Sequence, residues 1–147
     1  MRVLIADDSL MIRELLTELL HEVDGMEIVA QAEDASQARE LARALRPDVA
    51  VLDVRMPHGS GLEVLSAIKQ NDPTTIVIML TNFANQEIRQ KSVDSGANYF
   101  FDKAVELGRF MSVLRRLSHF SCMKHPLPPP TGRPGTVGWD EAKPNPS

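Results

Sequence analysis

Five short, largely aliphatic runs alternate with five stretches of helical periodicity, and no other feature constrains this chain as strongly. The runs are Arg2 to Ala6, Met26 to Ala32, Val49 to Asp53, Thr75 to Leu80 (closed by Thr81) and Tyr99 to Phe101. Runs this short and this apolar suit strands buried on both faces of a sheet. Between them, Ile12, Leu15, Leu16, Leu19 and Leu20 recur at helical spacing, and so do Ala38, Leu41, Ala42 and Leu45. Leu62, Leu65 and Ile68 mark a third helix, Ala84, Ile88 and Val93 a fourth, and Leu107, Phe110, Leu114 and Leu117 a fifth. Ser9 offers an N-cap to the first helix and Gly25 a stop. Pro47 closes the second helix and Gly96 the fourth.

Strict alternation of strand and helix predicts an α/β fold, a doubly wound parallel sheet with helices on both faces. Such sheets bind ligands beyond the carboxyl ends of their strands. The residues to weigh therefore stand at those ends: Asp7 and Asp8 after the first strand, Asp53 at the third, Thr81 at the fourth, and Lys103 after the fifth.

Proline sets the expected domain boundary. Seven of the ten prolines fall between Pro126 and Pro146, where neither a helix nor a central strand can form. Residues 1–122 are expected to fold, and residues 123–147 to form a disordered, proline-rich tail. A docking segment for an aromatic-lined groove, with Trp139 as an anchor, is the competing reading of the tail. The chain has 147 residues and a formal net charge of −4. That balance argues against non-specific binding to nucleic acid or an anionic membrane. No apolar run approaches the roughly 18 residues that span a bilayer, and the apolar N-terminal run is too short for a signal peptide. The one cysteine, Cys122, suits a reducing compartment. A soluble, cytoplasmic protein is expected.

Each strand-end residue has an ordinary explanation. An Asp pair before a helix complements the helix dipole, a strand-end Asp forms turns, and a single Lys is usually solvated. Four of five strands carrying a polar group to one edge is a different pattern. Three carboxylates at close quarters repel, and a hard divalent cation holds them ionised. Oxygen ligands with retained waters suit Mg²⁺. A carboxylate can attack a phosphoryl group to form an acyl phosphate, stabilised by nearby positive charge. Asp53 is the best candidate nucleophile, Lys103 a cation for the transferring group, and Thr81 a hydroxyl for one of its oxygens.

Taken in order, the motifs resemble those of a two-component response-regulator receiver domain of the chemotaxis-regulator type. They are Asp7-Asp8, Asp53-Val54-Arg55-Met56-Pro57 with Gly61-Leu62-Glu63-Val64-Leu65, Met79-Leu80-Thr81, and Gly96-Ala97 leading to Phe100 and Lys103. The resemblance covers residues 1 to about 120. It implies a flavodoxin-like (βα)5 fold with strand order 2-1-3-4-5. It implies that Asp53 accepts phosphate from a sensor histidine kinase or a histidine phosphotransfer protein. Asp8 and Asp53 would ligate Mg²⁺ directly, Asp7 through water, and Arg55 through its backbone carbonyl. Lys103 would pair with the phosphoryl group, Thr81 would swing toward it, and Phe100 would follow by turning inward. That change would alter the face made by the fourth helix, fifth strand and fifth helix, which would control a protein partner or form a phosphorylation-dependent homodimer.

Three residues depart from the family pattern. Phe100 stands where Tyr is common, Ala104 follows Lys103 where Pro is usual, and Asn82 follows Thr81 where a small residue is usual. Arg55 and Phe83 occupy the positions two after Asp53 and Thr81 that tune phosphoryl lifetime in this family. A bulky Phe83 that hinders the attacking water predicts a long-lived phosphoryl state.

Other functions fit less well. A DNA-binding regulator lacks room for a helix-turn-helix after the last helix, and no basic region appears. An aspartyl-nucleophile phosphatase needs a second Asp two residues after the first, and that place holds Ser9. A receiver-like module that binds partners without phosphorylation, and a phosphorelay intermediate or phosphate sink, stay as alternatives to an effector. A switch is expected rather than a turnover enzyme, with self-phosphorylation and slow self-dephosphorylation as its only chemistry. His21, His58, His119 and His125 show no metal spacing. Met11, Met56, Met79 and Met111 read as packing residues, and Arg115-Arg116 as complements of the last helix's C-terminus.

Overall fold

A computed structural model describes residues 1–82 and 84–122, the last three for their backbone only. Phe83, His125, Trp139 and the whole 123–147 segment lie outside the described residues. The elements in chain order are β1 (Arg2–Ala6), α1 (Leu10–His21), β2 (Glu27–Ala32), α2 (Ala35–Leu45) and β3 (Val49–Leu52). There follow β4 (Arg55–Met56), β5 (Gly59–Ser60), α3 (Gly61–Asn71), β6 (Ile76–Thr81), α4 (Gln86–Asp94), β7 (Tyr99–Asp102) and α5 (Leu107–Cys122).

Five strands pair in parallel in the order β2-β1-β3-β6-β7, which is the expected 2-1-3-4-5. Every residue of β3 and β6 is buried, because helices cover both faces. The pleat sends alternate residues to opposite cores. Leu4, Ala50, Leu52, Val77, Met79 and Phe100 pack toward α2 and α3. Val3, Ile5, Val49, Val51, Ile78 and Phe101 pack against α1 and α5. Phe100 and its neighbours Tyr99 and Phe101 thus face different cores, and the rings of those two neighbours stack at 6.3 Å.

Capping chemistry sets most helix ends. Ser9, Asp34, Ser60 and Asn85 each accept a hydrogen bond from a first-turn N–H. Arg46 takes a left-handed cap (φ 49°) before Pro47, so α2 stops where expected. Two helix ends differ from expectation. α1 stops at His21, capped by Glu22, and Gly25 instead serves the following turn at φ 87°. α4 begins only after Asn85, which leaves Ala84 outside it.

The loop after Asp53 contains the hairpin β4–β5, which sequence periodicity does not reveal. Pro57 and His58 make its turn, with His58 left-handed at φ 61°. α5 runs on to Cys122, so Arg115 and Arg116 lie mid-helix rather than in its last turn. Met56, Met79 and Met111 are buried as packing residues should be, but Met11 is 77% exposed.

Candidate functional site

The sheet itself holds the candidate residues in place. The Asp7 N–H donates to the Ala32 carbonyl, the Asp53 N–H to Ala6, and the Lys103 N–H to Thr81, at 3.0, 3.0 and 2.9 Å. Each residue just past a strand end therefore completes one more rung with the neighbouring strand. Three side chains from β1, β3 and β7 are delivered to one edge with little backbone freedom.

Asp7, Asp53 and Lys103 are buried there, at 2%, 6% and 8% exposure, while Asp8 is exposed. The Lys103 ammonium donates to Asp7 Oδ2 at 2.6 Å and to Asp53 Oδ2 at 3.0 Å. Asp7 Oδ1 accepts the Ser9 N–H at 2.9 Å. Burial raises the Asp7 carboxyl above the ordinary range, against the opposing pull of Lys103 and the Ser9 N–H. Burial alone would lower Lys103, but its hydrogen bond to Asp7 and the charge of Asp53 outweigh it and hold the amine above its ordinary value.

One atom of the cluster is unmatched. Asp53 Oδ1 is buried and, among the described residues, has no hydrogen-bond partner. A buried carboxylate oxygen without a partner is costly. It also belongs to a set of carboxylate oxygens, one each from Asp7, Asp8 and Asp53, that lie within 4.8 Å of one another. A hard divalent cation bound by oxygens satisfies both conditions, so the donor set fits Mg²⁺.

The other expected site residues have distinct places. Thr81 ends β6, fully buried, between the strand that leads to Asp53 and the strand that leads to Lys103. Arg55 opens β4, and its antiparallel pairing with Ser60 orders the backbone just after Asp53. Phe100 stands apart from the carboxylates. Its ring already points inward at 2% exposure, with the Arg89 guanidinium 4.7 Å above its centroid. All peptide bonds among the described residues are trans, and with Ala104 in the proline position Lys103 still reaches both carboxylates.

Sequence reasoning missed the supporting roles of three residues. Arg13 donates to the Asp7 carbonyl at 2.6 Å and ties the acidic loop to α1. Gly61 packs so closely that a Cβ would stand 1.9 Å from the Asp53 carbonyl oxygen. Glu106 accepts the Asp102 N–H at 2.8 Å, one residue before Lys103. Gly61, directly after a good N-cap residue, was the one legible signal of the three.

The family model described as the response regulator receiver domain matches residues 3–115. The chain is 42% identical over 97 residues to a protein-glutamate methylesterase/protein-glutamine glutaminase of Burkholderia thailandensis, covering 65% of this chain and 27% of that protein. It is 39% identical over 102 residues to the transcriptional regulatory protein PdtaR of Mycobacterium tuberculosis, covering 69% of this chain and 49% of that one. The chain thus spans half or less of the length of these two relatives. Among solved structures it resembles the CheX-CheY-BeF3-Mg²⁺ complex of Borrelia burgdorferi, with a TM-score of 0.68 and 30% identity over 76% of this chain and 87% of that one.

Proposed function

This chain belongs to the response regulator receiver domain family, and from that premise we propose that it is a phosphorylation switch whose acceptor is Asp53. Receiver domains of this family interact with histidine kinases or phosphotransfer proteins, and they typically bind Mg²⁺. The observation that carries the reading is the unmatched Asp53 Oδ1 beside an Oδ2 already held by Lys103. One oxygen is free for a metal or a phosphorus atom while the other is fixed in direction.

In the proposed reaction a carboxylate oxygen of Asp53 forms a bond to phosphorus. The N–P bond of a donor phosphohistidine breaks, and its electron pair stays on the departing imidazole. Lys103 supplies fixed positive charge to the transferring oxygens, and the Thr81 hydroxyl is the group able to follow them. Asp8 and Asp53 would hold Mg²⁺ directly, Asp7 through water, and Arg55 through its carbonyl. The ion would neutralise charge on the phosphoryl oxygens. Movement of Thr81 would be read by Phe100 and passed to the surface of α4, β7 and α5.

Apolar side chains support a protein as the donor. Leu10 and Met11 follow the acidic pair after Ser9 and are 59% and 77% exposed, and Val105, two residues after Lys103, is 77% exposed. An apolar rim around a charged site suits a helical phosphodonor that must seat its histidine over Asp53. We read residues 1–122 as a cytoplasmic receiver domain that controls a protein partner. Its own chemistry would be limited to self-phosphorylation and slow hydrolysis. Among the described residues no helix is long and apolar enough to cross a membrane.

The test is the intact mass after incubation with acetyl phosphate and Mg²⁺. The reading expects one added phosphoryl group in the wild type, and none with a chelator or in Asp53→Asn. Labelling that survives Asp53→Asn overturns Asp53 as acceptor. No labelling despite bound Mg²⁺ favours a module that binds partners constitutively.

A further inference from the structure

Glu106 immediately precedes α5, in the place where a helix usually carries its N-capping side chain. Its carboxylate turns back instead. Oε1 accepts the N–H of Asp102 at 2.8 Å, while the Glu106 N–H donates to the Asp102 carbonyl at 2.8 Å. The Asp102 carboxylate in turn accepts the Ala104 N–H at 2.8 Å. These bonds close a small ring of backbone around Lys103. They supply the rigidity that Ala104, with an unrestricted φ, does not. The same Glu106 carboxylate lies 3.8 Å from the Arg89 guanidinium, which covers the Phe100 ring, and 3.4 Å from Arg109.

We propose that Glu106 is the positioning residue for Lys103, and that through Arg89 it ties the Lys103 loop to the inward position of Phe100. One carboxylate then joins the edge that carries the chemistry to the aromatic on α4's side of the sheet. A shift of the Lys103 backbone would strain the Asp102–Glu106 ring, and a strained ring would loosen the Arg89 contact with Phe100. The catalytic part of this inference rests on the reading of Lys103 as the partner of the phosphoryl group. The positional part does not.

Two variants separate the contributions. Glu106→Gln keeps an oxygen for the Asp102 N–H and loses the charge. Glu106→Ala loses both. The first readout needs no phosphorylation. Acylation of lysines by an amine-reactive ester is followed peptide by peptide, with exposed Lys91 as internal reference. Glu106→Ala is expected to raise Lys103 acylation about tenfold relative to Lys91, and Glu106→Gln to leave it within about twofold. The second readout is labelling by acetyl phosphate. Glu106→Ala is expected to slow it about tenfold in the wild-type background and to have no further effect on Lys103→Met.

Unchanged Lys103 acylation in Glu106→Ala overturns the proposal. So does an equal slowing of labelling on the Lys103→Met background, which would mean that Glu106 acts elsewhere. If the wild type takes no phosphoryl group, the proposed function fails while the acylation result still decides what Glu106 does.

Discussion

The Lys103 ammonium and the Asp53 carboxylate stand 3.0 Å apart, although 50 residues separate them and β6 lies between their strands. The contact spans the carboxyl edge of the sheet over Thr81. Lys103 also serves Asp7 at 2.6 Å, so one cation is shared by two buried carboxylates. Removing it leaves both without compensation, which typically costs about 3 kcal/mol or more. Lys103→Met is therefore expected to lower stability by roughly that amount in chelator, and Mg²⁺ to recover more stability in the variant than it adds to the wild type. Urea unfolding with and without Mg²⁺ checks both, and equal Mg²⁺ effects in the two proteins would contradict it.

Mg²⁺ binding at the three carboxylates should stabilise the fold by mass action, by about 2.7 kcal/mol at a hundred times its dissociation constant. Asp8 is exposed, and its side chain makes no hydrogen bond or ion pair among the described residues. Asp8→Ala is expected to unfold like the wild type in chelator and to lose the Mg²⁺ effect. Thermal unfolding against a Mg²⁺ titration measures this. A full Mg²⁺ response in Asp8→Ala would remove Asp8 from the ligand set.

Gly61 is required for space rather than for an unusual backbone angle. A Cβ there would meet the Asp53 carbonyl oxygen at 1.9 Å and its carbon at 2.8 Å. Both are backbone atoms of Asp53, so relief must move that residue or the start of α3. Gly61→Ala is expected to destabilise by about 3 kcal/mol and to slow labelling at Asp53 well beyond what the stability loss explains. Chemical denaturation beside acetyl phosphate kinetics tests it, and a variant with wild-type stability would refute the close approach.

Lys69 gives a pH dependence far from the site. Its ammonium donates to the carbonyl of Thr75 and to Asn98 Oδ1 at 2.5 and 2.8 Å, and its stem packs on Gly96. Burial lowers its pKa to about 8 from 10.5, against a smaller upward pull from Asp72. Between these values the unfolded chain holds more protons than the native one, so stability rises with pH across that window. The contribution is complete above 10.5 and is lost as pH falls through about 8. Urea midpoints of the wild type are expected to climb from pH 8 to 10 relative to those of Lys69→Met. Parallel curves would contradict it.

Phe83 stands two residues after Thr81, outside the described residues. On its bulk alone, Phe83→Ala is expected to shorten the phosphoryl half-life by admitting the attacking water. A half-life in the wild type no longer than in the variant would contradict this.

The central strands and the carboxyl-edge residues were legible because physics writes them plainly. A strand buried on both faces must be aliphatic, and a charged group at its end has no packing reason to be there. Other features left no such trace. α1 carries apolar residues at adjacent positions such as 15 and 16, so periodicity alone could not say that Leu10, Met11 and Leu15 stay exposed. The two-residue strands β4 and β5 are shorter than any alternation can register. Gly25 looked like a helix stop, but Glu22 already caps α1 through bonds to the Leu19 and Leu20 carbonyls. The backward reach of Glu106 is a side-chain choice among rotamers, invisible in a string of residues.

The central claim is that Asp53, and not Asp7 or Asp8, carries the phosphoryl group. Borohydride reduces an aspartyl phosphate to homoserine and leaves free carboxylates unchanged. Peptide sequencing by tandem mass spectrometry after labelling with acetyl phosphate and Mg²⁺, then borohydride, reads the position directly. Homoserine at position 53 alone is the predicted result. Homoserine at position 7 or 8, or none at all while Mg²⁺ is bound, would contradict the account.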